Sequence, residues 1–283
     1  MPLKLMYITN RPQVALIAEK HGVDRIFVDL EYIGKDLRQG GMDTVQNRHT
    51  TEDVRILKGV LTKSQLMVRV NPIHEKTEDY PSSQEEISAV IDAGADIVML
   101  PYFKTAGEVE KFISYVGGRA KTLLLVETKE ANENIDEILD VDGIDEIFIG
   151  LNDLSLSYGK KFMFELLPDG TVENLCRKFK SKGIPYGFGG LASLDKGMLP
   201  GKYVIKEHYR LGSTCVILSR SFCNAGLITD TDRLEKIFST GLGKIREFEK
   251  KCENSDFLVG NDKETEKRVK EVCDLIQAGS EKE

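Results

Sequence analysis

The chain lacks the features by which nucleic-acid-binding and membrane proteins are usually recognised. It has no tryptophan, and its 39 Lys and Arg residues against 46 Asp and Glu residues give a net charge of 39 − 46 = −7. Without a basic run the surface offers no track for phosphates, so nucleic acid is not expected as a partner. No apolar stretch approaches the ~18 residues of a membrane-spanning helix. The first residues, MPLKLMYITNRPQV, lack the continuous apolar segment of a secretory signal.

Cysteine is also absent from the patterns that bind zinc or build disulfide frameworks. The five cysteines are odd in number and dispersed, without a CxxC pair. This distribution argues against both kinds of site and predicts reduced thiols. Because neither a membrane segment nor a secretory signal is expected, we expect a cytoplasmic protein.

The sequence does contain a repeated unit. A polar helical stretch, a glycine, two or three mostly polar residues and about four apolar residues recur at 22–29, 94–100, 143–150 and 212–218. Each glycine is expected to end a helix in the left-handed conformation, and each apolar run to form a strand buried on both faces. Further runs occur at 4–8, 66–71, 122–127 and 184–188. Eight strands alternating with helices predict a (β/α)₈ TIM barrel of the α/β class, rather than an open sheet.

Two segments depart from the repeated unit. Residues 32–51 form a long polar insertion after the second strand, and loops of this length commonly carry function. After the eighth strand about sixty residues remain, with apolar positions spaced as on two helix faces. We therefore expect a barrel catalytic domain over 1–223 and extra C-terminal helices over 224–283, more than one closing helix requires. The surplus face is expected to contact either the same chain or, in preference, a partner subunit of a homo-oligomer.

Polar side chains follow five of the predicted strands, at the end where a barrel enzyme places its site. In strand order they are Asp29 and Glu31, Arg69 and Asn71, Glu127, Asn152 and Asp153, and Ser219 and Arg220. Carboxylates from three strands and an arginine from a fourth predict a metal site with an anion clamp. Carboxylate oxygens without a His or Cys pair favour a hard cation such as Mg²⁺. The alternative is ordinary strand-end charges paired on neighbouring loops, which fits least well for Glu127, Asp153 and Arg69 together.

The histidines divide by their position. His49 and His74 lie on loops at the expected mouth of the barrel and are candidates for contact with substrate. His21 and His208 lie on predicted helices, and we expect both at the surface.

Two further features are candidates for binding an anionic group. Gly187, Gly189 and Gly190 follow the predicted seventh strand, where barrels often bind an anion on backbone N–H groups, although a tight turn has the same composition. Arg220, at the end of strand eight, could bind a second carboxylate or a phosphate. No lysine ends an apolar strand, which argues against Schiff-base chemistry at the site.

Five segments resemble the motifs of a known family. They are FVDLE at 27–31, VRVN at 68–71, DAGADIVMLP at 92–101, LVETKEA at 125–131 and IGLNDLS at 149–155. In this order they resemble the HpcH/HpaI aldolase and citrate lyase β family of the phosphoenolpyruvate/pyruvate barrel superfamily. The resemblance covers about residues 1–223, and the Val-Glu-Thr and Gly-x-x-Asp-Leu-Ser motifs are its most specific parts.

The resemblance implies metal-dependent carbon–carbon bond chemistry. It implies that Glu127 and Asp153 bind Mg²⁺ or Mn²⁺ and that Arg69 contacts a 2-oxo acid next to a pyruvate-type enolate. The expected function is an aldolase of the class II type acting on a 2-oxo-4-hydroxy acid, with Asn152, Asp153 and Arg220 also binding substrate. The resemblance further implies a hexamer whose C-terminal helices exchange between neighbours. The alternatives are an acyl-CoA lyase of the citramalyl, malyl or citrate lyase β type and a non-catalytic ligand-binding barrel.

Two departures from the family pattern concern proton transfer. The family commonly places His after the strand-two Glu, where this chain has Tyr32, and Gln before the metal-binding Glu, where it has Val126. A phenol of pKa about 10 is a poor base near neutral pH. We expect Arg69, Glu31, Tyr32 and His49 to be catalytic. Because a phenol is a poor base, we expect His49 to handle the proton in preference to Tyr32. A metal-bound water is the remaining candidate base.

Overall fold

Eight parallel strands form a closed barrel in the computed structural model of the protein, which describes residues 1–34 and 48–280. The strands are β1 (Lys4–Ile8), β2 (Arg25–Asp29), β3 (Gln65–Arg69), β4 (Ile97–Leu100), β5 (Lys121–Val126), β6 (Glu146–Ile149), β7 (Tyr186–Leu191) and β8 (Cys215–Leu218). Each strand pairs with the next along the chain, and β8 returns to pair with β1. The expected (β/α)₈ barrel is confirmed.

Helices cover the outside of the barrel. They are α1 (Pro12–Lys20), α2 (Thr51–Val60), α3 (Ser83–Asp92), α4 (Ala106–Val116), α5 (Lys129–Glu133), α6 (Ile135–Ile138), α7 (Leu151–Ser157), α8 (Thr171–Ser181), α9 (Gly201–Leu211), α10 (Thr231–Cys252) and α11 (Asn261–Ser280). Short 3₁₀ helices lie at Met163–Leu166, Ala225–Leu227 and Ser255–Leu258. Thr50, Ser82 and Thr105 begin α2, α3 and α4 by accepting a hydrogen bond from the N–H three residues on. In the part of the chain that the structure describes, no helix is long and apolar enough to cross a membrane.

The repeated glycine adopts the conformation expected for it. Gly22, Gly94, Gly143 and Gly212 all have φ between 74° and 105°, a region in which a side chain is strained. Each therefore turns the chain from a helix into the strand that follows. Strands β2, β4 and β6 are buried at every position, since helices cover one face and the barrel interior the other.

A buried ion pair closes the N-terminal end of the barrel. The Arg25 guanidinium on β2 donates two hydrogen bonds of 2.6 Å to the Glu146 carboxylate on β6. Burial alone would raise the pKa of the Glu146 carboxyl, but the bonds and charge of Arg25 outweigh burial and lower this pKa. An apolar layer that includes Phe27, Met67 and Phe148 fills the interior. The ion pair and the apolar layer thus fill the N-terminal end and the middle of the barrel.

The segment after residue 223 packs on the barrel of its own chain. Helix α10 lies between α9 and α1 and completes the ring, with Phe238 packed edge-to-face on Tyr7 at 5.0 Å. Helix α11 lies outside this ring against α9, where the Asn261 amide donates a 2.6 Å hydrogen bond to the buried Glu207 carboxylate. Helix α11 is thus the surplus helix of the sequence. The domain division at residue 223 and a contact of α11 with another subunit stay predictions.

His208 is buried, and the expectation that it lies at the surface is wrong. It is on the same face of α9 as Val204 and Ile205, so its ring turns towards the barrel, where it stacks on Phe188 at 3.8 Å. Its Nδ1 lies 2.7 Å from the Ser213 hydroxyl. Burial lowers the pKa of His208 to about 3, which keeps the imidazole neutral.

The other histidine that was expected on a helix, His21, is partly exposed, as predicted. His21 follows α1, and its Nε2 lies 2.6 Å from the Glu235 carboxylate on α10. This contact links the first helix of the ring to the last.

Candidate active site

A cavity of about 420 Å³ lies at the carboxyl ends of the strands, a volume typical of small-molecule sites. Most of the residues predicted to form the site line this cavity: Arg69, Glu127, His49, Asn152, Asp153 and Arg220. Glu31 and Tyr32 lie behind the wall and contact lining residues instead. The sequence therefore brings the main candidates together at one place.

Arg69 is fixed by the two carboxylates of strand β2. Its Nε and Nη2 each donate a 2.8 Å hydrogen bond to Asp29, and its Nη1 lies 3.3 Å from the Glu31 carboxylate. Burial would lower the pKa of Arg69, but the charges of Asp29 and Glu31 raise it well above its usual value. The guanidinium thus stays charged and points in one direction. Asp29, one of the strand-end carboxylates expected at the site, lines the cavity, and both of its carboxylate oxygens accept hydrogen bonds from Arg69.

Glu127 is held against the backbone of two neighbouring strand ends. Its Oε1 accepts a 3.0 Å hydrogen bond from the N–H of Tyr102, a residue with a left-handed φ of 50°. On the other side, a Cβ at Gly150 would lie 2.8 Å from both Cβ and Oε2 of Glu127. The carboxylate can occupy this position only because residue 150 has no side chain.

Asp153 reaches the same cavity from the next strand. The Gly150 N–H donates a 2.9 Å hydrogen bond to the Val126 carbonyl, which joins the end of β6 to the end of β5. Helix α7 begins immediately afterwards and carries Asp153 in its first turn, with the Asn152 amide 3.0 Å from Asp153 Oδ1. Glu127 and Asp153 therefore follow the ends of the adjacent strands β5 and β6.

This donor set fits a hard divalent cation. Both carboxylates are at least nine-tenths buried, with Glu127 at 3% and Asp153 at 9% exposure. Among the described residues, no three His, Cys, Asp or Glu side chains come together as a complete metal cage. Two carboxylates beside an open cavity suit Mg²⁺, whose remaining ligands are typically water and substrate.

The end of the long insertion returns to the mouth of the barrel. His49 is buried against the end of β2, where its Nδ1 accepts a 3.0 Å hydrogen bond from the Asp29 N–H. The Tyr32 hydroxyl donates to the His49 carbonyl. The pKa of Tyr32 is raised, mainly by burial and to a smaller extent by the charge of Asp29. Residues 35–47, the central part of the predicted insertion, lie outside the described residues.

His74 does not belong to the cavity lining. Its Nδ1 lies 2.7 Å from the Pro72 carbonyl and its Nε2 lies 2.8 Å from the Pro81 carbonyl. The ring therefore closes the loop between β3 and α3, and of the two loop histidines His49 is the one at the cavity.

The opposite wall of the cavity comes from β7, β8 and the loop after β8. The seventh strand was predicted at 184–188, whereas β7 spans Tyr186–Leu191. It continues through the glycines, with a register shift between Gly187 and Gly190 in its pairing with β8. Gly187 packs against β8, where a Cβ would lie 2.3 Å from the Cys215 carbonyl oxygen, whereas Gly189 and Gly190 line the cavity beside Arg220. These glycines therefore extend the strand rather than follow it.

Arg11 is a lining residue that the sequence did not single out. Its Nη1 donates hydrogen bonds of 2.7 Å and 3.1 Å to the carbonyls of Ala225 and Ile228. The Tyr7 hydroxyl donates a 3.0 Å hydrogen bond to the Cys223 carbonyl in the same loop. Together they hold the loop after β8 in place as a wall of the cavity. The only sequence signal was the position of Arg11 just after the first strand.

Comparison with known proteins places the chain in a family. A sequence model of the HpcH/HpaI aldolase/citrate lyase family matches residues 4–165, more than half of the chain. The chain belongs to this family, and the resemblance of the sequence motifs is confirmed.

Curated relatives and solved structures are similar to the chain. A 2-keto-3-deoxy-L-rhamnonate aldolase from Escherichia coli O1:K1 / APEC is 28% identical over 157 residues, 42% of this chain and 56% of that protein. The protein of the same description from Shigella boydii serotype 4 (strain Sb227) is 29% identical over 148 residues, 39% and 53% of the two chains. The match thus spans just over half the length of these relatives. The crystal structure of an HpcH/HpaI aldolase from Desulfitobacterium hafniense DCB-2 has a TM-score of 0.58 at 17% identity, over 87% of this chain and 93% of that one, which supports the fold.

Proposed function

We propose that the protein is a divalent-metal-dependent carbon–carbon lyase, an aldolase of the class II type that cleaves or forms a 2-oxo-4-hydroxy acid through a pyruvate-type enolate. The observation that carries this proposal is the convergence of Glu127, Asp153 and Arg69 on one cavity at the carboxyl ends of the strands. Membership of the HpcH/HpaI aldolase/citrate lyase family supports it, as do relatives described as 2-keto-3-deoxy-L-rhamnonate aldolases.

Each group at the cavity has a role in this proposal. Glu127 and Asp153 would hold Mg²⁺ or Mn²⁺, which when bound supplies Lewis-acid stabilisation of negative charge on the 2-oxo group, on the order of several kcal/mol. Arg69, fixed by Asp29, binds the carboxylate or the developing enolate oxygen by a charge-assisted hydrogen bond. Asn152 and Arg220 bind substrate, with Arg220 on a distal carboxylate or phosphate.

The remaining candidates differ in whether they reach the substrate. Glu31 acts by orienting Arg69, and Tyr32 acts by holding the backbone of His49. His49 lines the cavity and is the loop residue that contacts the reacting hydroxyl group. His49→Ala should therefore lower turnover at saturating Mg²⁺ more than Tyr32→Phe does. A loss of a hundredfold or more in Tyr32→Phe, with near-normal turnover in His49→Ala, would reverse this order.

A pyruvate-release assay tests the activity directly. A panel of 2-oxo-4-hydroxy acids and CoA thioesters is incubated with the protein, with and without Mg²⁺ or Mn²⁺. We expect metal-dependent release of pyruvate from at least one 2-oxo-4-hydroxy acid. Cleavage of thioesters alone would indicate an acyl-CoA lyase instead of an aldolase. No cleavage of any compound would indicate a non-catalytic ligand-binding barrel.

Metal binding should depend on the two carboxylates at the cavity. Titration calorimetry with Mn²⁺ should show loss of binding in Glu127→Ala and in Asp153→Ala with little change in thermal stability, because each change removes one of two protein ligands at the barrel mouth. Glu130→Ala is the matched control, since this exposed carboxylate three residues after Glu127 pairs with Lys104. Unchanged Mn²⁺ affinity in Glu127→Ala would refute the metal assignment.

We also infer a homo-oligomer, up to a hexamer, that works in the cytoplasm. The surplus helix α11 supports the assembly, since Leu275 on it is 72% exposed. The five cysteines, all unpaired, support a reducing compartment. Multi-angle light scattering of the full chain tests the assembly, and a monomer would refute it.

A further inference from the structure

We propose that His49 works as a neutral hydrogen-bond donor that keeps its own proton, because the backbone fixes the ring in the Nε2–H tautomer. This inference rests on the proposed function for its substrate, a 2-oxo-4-hydroxy acid. It assigns His49 the role of stabilising negative charge on a substrate oxygen. The proton of the 4-hydroxyl group lost on cleavage then goes to a water molecule in the cavity and not to this ring.

The tautomer follows from the one hydrogen bond that the Asp29 backbone makes with the ring. A backbone N–H can only donate, so Nδ1 of His49, 3.0 Å from the Asp29 nitrogen, must accept and cannot carry a proton. A neutral imidazole has one N–H, which is then at Nε2. To accept a proton at Nε2, the ring would need its hydrogen at Nδ1, pointing at the Asp29 N–H. Action as a base therefore requires that this hydrogen bond first break.

The Asp29 amide is available because of how the barrel strands end. In the pairing of β1 with β2, the last partners are Ile8 and Phe27, two residues before Asp29. The amide of Asp29 thus lies past the end of that ladder and donates to His49 instead. The donor is part of the barrel backbone, so its direction is set by the fold and does not depend on a side-chain rotamer.

The carboxylate of Asp29 is engaged elsewhere, which distinguishes this pair from an Asp–His dyad. In a dyad the carboxylate accepts from the ring N–H and stabilises the imidazolium that forms during proton transfer. Here both carboxylate oxygens of Asp29 accept hydrogen bonds from Arg69. At Nδ1 the ring meets a donor rather than a negative charge, so this contact favours the neutral form over the imidazolium.

A chain of hydrogen bonds keeps the loop in register with this amide. The Tyr32 hydroxyl donates to the His49 carbonyl, and the N–H groups of Tyr32 and Ile33 donate to Asn71 Oδ1 at 2.8 Å and 2.9 Å. The Asn71 amide in turn donates a 2.9 Å hydrogen bond to the buried Glu86 carboxyl on α3. The histidine is thus held at its ring and at its backbone, and a fixed neutral imidazole is suited to stabilise a developing oxyanion.

Nitrogen NMR of the full chain tests the tautomer without substrate or metal. Long-range ¹H–¹⁵N correlation of protein labelled with ¹⁵N-histidine resolves four rings, and the one missing in His49→Gln is His49. We expect the pattern of a neutral ring protonated at Nε2 at neutral pH. A ring protonated at Nδ1, or at both nitrogens, would overturn the proposal.

Turnover of two variants tests the role. His49→Ala removes the donor and should lower turnover roughly a hundredfold, as the loss of one oxyanion donor does. His49→Gln restores an N–H donor of similar reach that cannot accept a proton, and it should recover at least about tenfold of this loss. Equal losses in the two folded variants would mean that the ring accepts a proton, and near-normal turnover in both would mean that it does not contact the substrate. Either result overturns the proposal.

The failure of this inference is distinguishable from failure of the proposed function. If the wild-type protein releases pyruvate from no compound in the panel, the proposed function is wrong and the nitrogen spectrum still decides the tautomer. If pyruvate is released and the spectrum shows a proton on Nδ1, the function stands and the donor role is wrong. Thermal melting of His49→Ala and His49→Gln establishes that both variants are folded before their turnover is compared.

Discussion

Replacing Gly150 by alanine should damage the proposed metal site without touching either carboxylate. Gly150 has φ of −80° and ψ of 85°, a conformation that alanine can adopt, so the backbone itself resists the change little. The new methyl group would lie 2.8 Å from Cβ and from Oε2 of Glu127, where ordinary contacts begin at 3.4 Å. The difference, 3.4 − 2.8, means that Glu127 must move by about 0.6 Å.

This displacement can be translated into an affinity. Glu127 Oε1 is held by the Tyr102 N–H at 3.0 Å, so the carboxylate cannot move away without weakening that bond. Changes to groups that orient metal ligands typically cost ~10–100-fold in metal affinity, which corresponds to about 1.4–2.7 kcal/mol. Overpacking should also lower the free energy of unfolding by about 1–3 kcal/mol.

Calorimetric titration with Mn²⁺ and urea denaturation measure the two effects separately. Gly243→Ala is the matched control, because Gly243 lies on α10 and, apart from the backbone of its own helix, no described atom lies within 4 Å of the added methyl group. The control should bind Mn²⁺ like the wild type and gain about 0.5–1 kcal/mol in stability from helix propensity. Wild-type Mn²⁺ affinity in Gly150→Ala would refute the argument that close packing at residue 150 positions Glu127.

Three further predictions concern the barrel and the tail. Glu146→Ala should lower the free energy of unfolding by about 3–5 kcal/mol in urea denaturation, because it leaves the Arg25 charge buried and unpaired. The pKa of His208 falls from 6.5 to about 3 on folding, so the unfolded chain binds the proton more tightly than the folded chain. The free energy of unfolding should therefore drop as pH falls from ~6.5 towards 3, by up to about 1.4 kcal/mol per pH unit. The variant His208→Gln should lack this contribution. Truncation after residue 224 should give aggregates or smaller species, since it exposes the surface under α10, whereas truncation after residue 258 should leave a folded barrel whose light scattering reports whether α11 is needed for assembly.

The fold was predictable because its signals are local. Each glycine at the end of a helix is followed by a short apolar run, and β1 spans Lys4–Ile8 as the pattern predicted. The seventh strand was misplaced because three glycines carry no hydrophobic pattern, and only its pairing with β8 shows that the strand continues to Leu191. His208 was misplaced because a polar residue on a helix was assigned to water, although its spacing from Val204 and Ile205 already placed it on their face.

The candidate site was predictable in its strand-end residues and not in its loop contacts. Arg69 ends β3, Glu127 directly follows β5 and Asp153 lies in the first helical turn after β6, so the positions of the strand ends bring them to one end of the barrel. Glu31 lies behind the cavity wall and pairs with Arg69, and His49 accepts a hydrogen bond from a backbone amide. Both contacts depend on the path of the chain after β2. Contacts of this kind join residues that are distant in sequence, and no local pattern encodes them.

The buried ion pair at the N-terminal end of the barrel should make two distant positions vary together among related proteins. Arg25 and Glu146 lie 121 residues apart on strands that are not neighbours in the barrel. A lineage that loses one partner retains a buried charge that destabilises the fold, whereas simultaneous replacement by well-packed apolar residues is often tolerated. Related barrels should therefore carry both ionic residues or neither. A chimaera that joins the first half of this chain to the second half of a relative with apolar residues at both positions should fold poorly.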